Sequence, residues 1–98
     1  MTLAKDMDLN NYKLIVPPKL DKKFMKLVKK DKQQMQIIDR KINEILTNPH
    51  RFKPLRENMV GAKRVHIGKS FVLTFEVLEN EKIVKLLDYD HHKKIYRK

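Results

Sequence analysis

Two amphipathic segments follow one another in this chain with almost nothing between them. Each carries apolar residues at the spacing of one helical face, namely Leu20, Phe24, Leu27 and Val28 in the first and Met35, Ile38, Ile42, Ile45 and Leu46 in the second. Pro18 can open the first helix, and Asp31, placed three residues before Gln34, can cap the second. A turn this short predicts an antiparallel helical hairpin whose apolar face packs against another layer.

Four stretches rich in β-branched and aromatic residues can form that layer. The first, residues 12–16, stops at two prolines, which cannot continue a strand ladder. Residues 64–67, 71–77 and 82–89 follow at hairpin spacing and predict an antiparallel meander. The sequence therefore predicts an α+β fold in the chain order β-α-α-β-β-β. The helical hairpin packs on one face of an antiparallel sheet of about four strands, and the other face stays open to a partner.

The charge of the chain points to a polyanionic partner. Lys and Arg number 23 against 12 Asp and Glu, which gives a formal charge of +11 on 98 residues. Such a field favours nucleic acid, an acidic protein or an anionic membrane surface. The lysines of the first helix fit either an ordinary solvated surface or long-range attraction for RNA. The basic loop 49–61 fits either a plain connector or an arm that holds phosphates through Lys53 and Arg56.

Several classes of protein are disfavoured by the sequence. No apolar run approaches the roughly 18 residues that a membrane span requires, and the N-terminal segment lacks the apolar centre of a signal peptide. The chain has no cysteine, which excludes disulfides and thiolate zinc sites and fits a cytoplasmic protein. We expect residues 1–11 to be a flexible terminus and residues 12–98 to form a single domain.

The last dozen residues contain the groups with the most chemistry. His91, His92 and Tyr96 lie close together there, and four of the last six residues are Lys or Arg, among them Lys93. On the predicted strand 64–67, Arg64 and His66 share the face opposite the apolar residues. We expect the tail to be presented to an RNA backbone, with His91 and Lys93 among the groups that bind it.

These residue types match the needs of RNA cleavage by its own 2′-hydroxyl. The reaction needs a base, fixed positive charge at the phosphate and an acid for the leaving 5′ oxygen. Imidazole has an ordinary pKa near 6.5 and can serve as base or acid, so we assign proton transfer to His66 and His92, in an order that the sequence leaves open. Arg64 would hold the phosphate, and Tyr96 would orient the hydroxyl or stack on a base.

A metal site is the alternative for the same cluster, because Asp88 and Asp90 precede the two histidines. Adjacent histidines on an extended chain point to opposite sides, so His91 and His92 would chelate one ion poorly. We therefore expect neither a metal nor another cofactor.

Four short motifs, in this order and spacing, resemble the RelE/ParE toxin superfamily. They are Leu46-Thr47-Asn48-Pro49-His50, Lys53-Pro54-Leu55, Arg64-Val65-His66-Ile67-Gly68 and Asp90-His91-His92-Lys93-Lys94-Ile95-Tyr96. The likeness covers nearly everything from Tyr12 onward. It implies a RelE-like fold and a toxin of a toxin–antitoxin pair, held inactive by an antitoxin, in a complex that often binds operator DNA. RelE-type members cut mRNA on the ribosome without a metal, whereas ParE-type members poison DNA gyrase.

The resemblance also implies which residues form the site. It carries the family's basic and aromatic site residues onto Arg64, His66, His91, His92 and Tyr96. Two positions depart from the pattern. His92 stands where the closing basic residue is usually an arginine, and Val72 stands where many members have an arginine early in the strand after the glycine turn. This chain therefore lacks one expected phosphate ligand.

Three functions remain open at this point. The leading one is a ribosome-dependent mRNA endoribonuclease toxin. The second is a non-catalytic, ParE-like inhibitor of gyrase, which Val72 and the histidine in place of the closing arginine favour. The third is a basic nucleic-acid-binding module without nuclease activity, whose binding would depend steeply on salt.

Overall fold

A computed structural model describes residues 12–55 and 61–97 of the chain. In chain order, the elements are strand β1 (Lys13–Ile15), helices α1 (Pro18–Lys30) and α2 (Lys32–Thr47), strands β2 (Ala62–Ile67), β3 (Phe71–Leu78) and β4 (Ile83–His91), and helix α3 (His92–Arg97). Short 3-10 turns lie at Pro49–Arg51 and Glu79–Glu81. The prediction for residues 1–11 falls outside the described residues.

The helical hairpin is confirmed, and a single residue joins its two helices. Asp31 ends α1, where its backbone N–H donates to the Leu27 carbonyl at 2.7 Å. Its side chain caps α2 by accepting from the Gln34 backbone N–H at 3.1 Å. Because this residue satisfies groups at both helix ends, the hairpin turns without a loop.

The sheet is mixed, with the strand order β1-β4-β3-β2. The meander β2-β3-β4 is antiparallel as predicted, but β1 pairs in parallel with β4, with Lys13 opposite Ile83. The prediction of a wholly antiparallel sheet is therefore wrong at β1. The path of the chain after α2 explains why β1 and β4 are parallel. This connection runs antiparallel to β2, with Pro54 opposite Lys63. It returns the chain to the end of the sheet where β1 began.

The core lies between the helical hairpin and one face of the sheet. Its buried members are Leu20, Phe24, Ile38, Ile42, Ile45, Val65, Ile67, Leu73, Phe75, Val84, Leu86 and Tyr89. On β2 and in the first part of β4 these residues alternate with exposed or half-buried ones, which is the period that a half-covered strand requires. The register of β4 shifts at Leu87, so the next core residue after Leu86 is Tyr89. No helix in the described ranges is long and apolar enough to cross a membrane.

The second face of the sheet is only partly open. The last strand was expected to end at residue 89, but β4 continues to His91, and the chain then forms α3, which contacts both β3 and β4. Ile95 of α3 and Val72 of β3 are both buried, yet neither belongs to the main core. The expectation of an uncovered face is therefore wrong at this end, where α3 forms a second, small packed layer.

Candidate active site

Strand β2 presents an arginine and a histidine side by side on the face away from the core. Val65 and Ile67 point into the core, so alternation directs Arg64 and His66 to the other face. Arg64 Nη1 lies 3.5 Å from His66 Nε2. Arginine carries donors only, so a hydrogen bond in this contact would use the tautomer in which His66 Nε2 is the acceptor.

A cross-strand row connects this pair to the C-terminal residues. His66 lies opposite Val72 on β3, and Val72 lies opposite Asp90 on β4. Two inter-strand spacings make the backbone separation of His66 and Asp90 about 10 Å. His91 and His92 follow Asp90 directly, so the histidines of β2 and of the C-terminal segment lie at the same end of the sheet.

The two adjacent histidines stack on each other. Their ring centroids are 4.6 Å apart and their planes differ by 28°. The expectation that they point to opposite sides is wrong, because β4 ends at His91 and α3 begins at His92. The turn is fixed by the His92 backbone N–H, which donates to the Ser70 carbonyl at 2.8 Å.

The stacked histidines rest on an aromatic support. The edge of the Phe71 ring meets His91 with centroids 5.6 Å apart, and Phe71 stacks on Tyr89 at 5.2 Å. Burial raises the pKa of Tyr89, against the hydrogen bond that Gln34 donates to its hydroxyl at 2.8 Å. His91 Nδ1 accepts from the Lys93 backbone N–H at 3.2 Å, and this bond does not use Nε2.

Helix α3 holds the remaining C-terminal candidates at the surface. Ile95 anchors the helix, and Tyr96 beside it keeps 38% of its surface exposed. Lys93 is also exposed. Within the described residues, no hydrogen bond or ring contact joins His66 to His92. Direct contact between the two proton-transfer candidates is thus not part of the arrangement in the described residues.

The basic loop reaches the site through one of its two predicted phosphate ligands. The Lys53 carbonyl accepts from the Arg64 backbone N–H at 3.1 Å, which places the exposed Lys53 beside the Arg64–His66 pair. Arg56 lies outside the described residues. Lys53 therefore belongs to a connector whose backbone pairs with β2, and phosphate binding by its exposed side chain stays a prediction.

Val72 occupies the middle of the cross-strand row and is fully buried. An arginine at this position would have to bring its charge out from under the packed layer that α3 forms. In this chain the position supplies packing between His66 and Asp90, and it supplies no charge to a ligand.

Lys23 is a residue near this site that the sequence did not single out. Its Nζ donates to the Tyr89 carbonyl at 2.8 Å and lies 3.4 Å from Asp88 Oδ1 and 3.5 Å from Asp90 Oδ2. Its positive charge offsets the negative charges of Asp88 and Asp90, which come just before the two histidines in the sequence. In the sequence it is one of several lysines on α1 that fit an ordinary solvated surface. Only the tertiary fold brings it to β4.

The two carboxylates are thus held by Lys23 and by the backbone N–H of the residue that follows each of them. Within the ranges that the structure describes, no group of three or more His, Asp or Glu side chains gathers to hold a metal ion.

No family model matches the chain. It is 49% identical over 87 residues to the Methanocaldococcus jannaschii protein named "Putative toxin RelE4", covering 89% of this chain and 93% of that protein. It is also 54% identical over 85 residues to an uncharacterized protein of Methanosarcina mazei, covering 87% of this chain and 99% of that one.

Solved structures show the same fold. A mutant of E. coli toxin RelE in the free state matches with a TM-score of 0.70 at 17% identity, covering 89% of this chain and 92% of that one. The toxin–antitoxin complex RelBE2 from Mycobacterium tuberculosis matches with a TM-score of 0.66 at 19% identity, covering 86% and 94%. The chain belongs to the RelE-like toxin superfamily, which confirms the resemblance seen in its four motifs.

Proposed function

We propose that this toxin cleaves mRNA on the ribosome by metal-independent acid–base chemistry. The observation that carries the proposal is the Arg64–His66 pair, 3.5 Å apart on an exposed strand face, in a cross-strand row that leads to His91 and His92. This arrangement supplies fixed positive charge and two separated imidazoles, which are the groups that transesterification of RNA requires.

His66 is the better candidate for the base. Its Nε2 lies 3.5 Å from the Arg64 guanidinium, which can only donate, so the proposal places a lone pair on this nitrogen. A scissile phosphate would draw the Arg64 guanidinium onto its own oxygens, because charge-assisted bonds to phosphate are stronger than a bond to a neutral ring. Nε2 would then be free to take the 2′-hydroxyl proton, so that substrate binding itself uncovers the base.

The rest of the reaction follows from that assignment. The 2′ oxygen attacks phosphorus and forms a 2′,3′-cyclic phosphate, while the bond from phosphorus to the 5′ oxygen breaks. His92, in its protonated form, gives its proton to that leaving oxygen. Arg64, Lys53 and Lys93 hold the phosphate charge, and the Tyr96 ring, which is 38% exposed, stacks on a base.

The site is shallow, and this favours a reaction that needs a large partner. His66, Lys93 and Tyr96 are exposed on an open surface and do not line a closed cleft. Such a surface orients a flexible strand poorly by itself, and orientation supplies much of a catalyst's advantage. We infer that the ribosome holds the mRNA in place, and that the toxin adds the catalytic groups in the cytoplasm.

We also propose a cognate antitoxin. The Mycobacterium tuberculosis relative of similar fold is described as part of a toxin–antitoxin complex. A protein of charge +11 would attract an acidic partner segment, and covering Arg64 and His66 would silence the site. The resulting complex is expected to bind operator DNA.

The experiment is to add the protein to translating ribosomes and map the ends of the mRNA. New internal ends that disappear with His92→Ala support the proposal. Absence of new ends, or undiminished cutting by that variant, overturns it. His50→Ala is the matched control, because His50 lies elsewhere, against Tyr12 and Glu79.

Inhibition of DNA gyrase is the second candidate, and the buried Val72 favours it. The site holds one cation fewer than the family pattern implies. This weakens the case for RNA cleavage and does not affect the case for a non-catalytic inhibitor. A supercoiling assay separates the two: inhibition of gyrase without any new mRNA ends would select this second function.

A further inference from the structure

A groove lies at the end of the molecule where the turn of the helical hairpin meets the turn between β2 and β3. Its volume is about 480 Å³, which falls in the range of roughly 300 to 1,000 Å³ that small-molecule sites occupy. Leu27, Ile67, Phe71 and Tyr89 give it a largely apolar lining. The proposed cleavage reaction does not use this groove.

A single side-chain amide stands in this apolar lining. Gln34 is half-buried, and its Nε2 donates to the Tyr89 hydroxyl at 2.8 Å. Its Oε1 lies on the side of Gly68, where an added Cβ would come within 3.6 Å of it. No hydrogen bond in the described residues uses Oε1, and the amide nitrogen has a second N–H. The amide therefore offers one acceptor and one donor, side by side, to a ligand in the groove.

A row of rings connects the groove to the candidate active site. Phe71 stacks on Tyr89 with centroids 5.2 Å apart and meets the edge of His91 at 5.6 Å, and His91 stacks on His92 at 4.6 Å. The backbone makes a second connection, because Ser70 lines the groove and its carbonyl accepts from the His92 backbone N–H. A strand of RNA at His92 therefore has the groove next to it.

The charges around the groove suit a nucleotide. Its lining includes two exposed lysines, Lys30 and Lys69, and one acidic residue, Asp31, whose Oδ1 is engaged in capping α2. Apolar and aromatic surface binds the face of a base, a polar amide binds its edge, and an ammonium group binds the phosphate. A purely apolar ligand would leave the amide of Gln34 without a partner.

The amide also indicates which base fits best. A glutamine amide pairs in bidentate fashion with adenine, accepting from the N6 amino group and donating to N7. The N6 amino group of adenine has a ring acceptor on either side, N1 and N7, so the same amide can pair with both edges of an unpaired adenine. The two-ring purine also covers more apolar surface than a pyrimidine does.

We propose that this groove is a base-binding subsite, which holds an adenine of the single-stranded RNA close to the nucleotide that is cleaved. The base packs against Leu27 and Phe71, Gln34 contacts its amino group and the adjacent ring nitrogen, and Lys69 contacts a phosphate. The proposal rests on the proposed function, because it takes RNA as the ligand. It gives the toxin a sequence preference that the proton-transfer residues do not supply.

The test measures binding of the protein to two short, labelled oligonucleotides by fluorescence anisotropy. One consists of uridines alone, and the other has a single central adenosine. Both carry 2′-O-methyl groups, so they cannot be cut through a 2′-hydroxyl. Gln34→Met removes the amide at similar length, and Gln34→Glu is a second variant that replaces the donor by an acceptor. Gln36→Met changes an exposed glutamine of the same helix and is the matched control.

Wild-type protein should bind the oligonucleotide with adenosine about tenfold more tightly, within the range of one bidentate contact to a base. Both Gln34 variants should bind the two oligonucleotides equally, and binding of the all-uridine one shows that they are folded. Gln36→Met should keep the preference. Lys69→Gln should weaken binding of both oligonucleotides by the same factor, with a plot of log K against log salt that is flatter by about 0.7.

Equal affinity of wild-type protein for the two oligonucleotides, an unchanged preference in both Gln34 variants, or an equal loss in Gln36→Met would each overturn the proposal. If the Gln34 variants keep the preference but no longer bind the antitoxin, the groove is a protein interface and the proposal is wrong. Because neither oligonucleotide can be cut, the preference is observed whether or not the protein is a nuclease. A preference that depends on Gln34, together with no mRNA cleavage by wild type, would support the base site while removing the proposed nuclease function.

Discussion

Arg64 Nη1 lies 3.5 Å from His66 Nε2 on the face of β2 that points away from the core. The two residues are separated only by Val65, which is buried. Because side chains alternate along a strand, Arg64 and His66 lie on the same face of the sheet without any special loop. The proposed reaction uses that imidazole nitrogen as its base and the guanidinium as its fixed positive charge.

The first prediction concerns this pair. His66→Ala should lower cleavage by about 10²- to 10⁴-fold, the usual contribution of a general base. Arg64→Ala should lower it by about 10²- to 10³-fold through loss of charge stabilisation. Because the two act together, the double variant should lose much less than the product of the single losses. Single-turnover rates with ribosome-bound mRNA provide the measurement.

The midpoint of thermal unfolding is the control for the two single variants and the double variant. Neither side chain belongs to the main core, so all three variants should unfold within a few degrees of wild type. Strictly multiplicative losses would contradict a shared role for Arg64 and His66.

The second prediction concerns the stacked histidines. His92→Ala should abolish most cleavage, whereas His91→Ala should have a smaller effect, because its ring packs on Phe71 and one of its nitrogens accepts a backbone bond. The comparison uses cleavage rates over a range of pH. If His92 supplies the acid, its loss should remove the decline in rate on the alkaline side. A profile of unchanged shape in His92→Ala would assign the acid elsewhere.

A third prediction concerns Val72, which has no exposed surface. Val72→Arg buries a charge without a partner and should lower the free energy of unfolding by on the order of 3 kcal/mol. Val72→Ala leaves only a small cavity and should cost less, about 1 to 2 kcal/mol. Urea titrations of both variants give these values. An arginine variant as stable as wild type, with faster cleavage, would show that the position can hold a phosphate-binding cation after all.

The fourth prediction concerns a polar cluster far from the site. Glu79 accepts from Lys82 at 2.6 Å, from Tyr12 at 2.8 Å and from His50 at 2.7 Å. The hydrogen bond from Lys82, followed by those from Tyr12 and His50, lowers the pKa of Glu79 from 4.5 to about 2. A depressed pKa stabilises the fold above the ordinary pKa of the group, and this contribution fades as the pH falls towards 2.

Wild type should therefore exceed Glu79→Gln in free energy of unfolding by a constant amount above about pH 5.5, and this difference should shrink between pH 4.5 and pH 2. Denaturant titrations at each pH provide the measurement. Glu81→Gln removes the same charge next to the cluster and controls for net charge. A difference that stays constant down to pH 2 would show that these hydrogen bonds do not hold Glu79 ionised.

The sequence predicted the elements that depend on local pattern. Apolar spacing gave the helical hairpin, with Asp31 at its turn, and alternation gave the meander and the shared face of Arg64 and His66. Features set by distant parts of the chain were missed. The parallel pairing of β1 depends on the path of the connection along β2, and the role of Lys23 depends on how α1 lies against β4.

The C-terminal segment was missed for a different reason. Residues 92–97 are charged and aromatic, without the repeated apolar face that marks a helix, and α3 is held by one buried residue, Ile95. Short helices of this kind owe their stability to packing and not to propensity. The stacking of His91 on His92 follows from that turn and could not be read from the spacing.

The most direct measurement is the chemical nature of the new ends after translating ribosomes have been treated with the protein. Attack by the 2′ oxygen, with His66 as base and His92 as acid, predicts a 2′,3′-cyclic phosphate on one fragment and a 5′-hydroxyl on the other, both absent with Arg64→Ala/His66→Ala. Fragments that carry a 5′-phosphate, or mRNA that stays intact, would contradict the account.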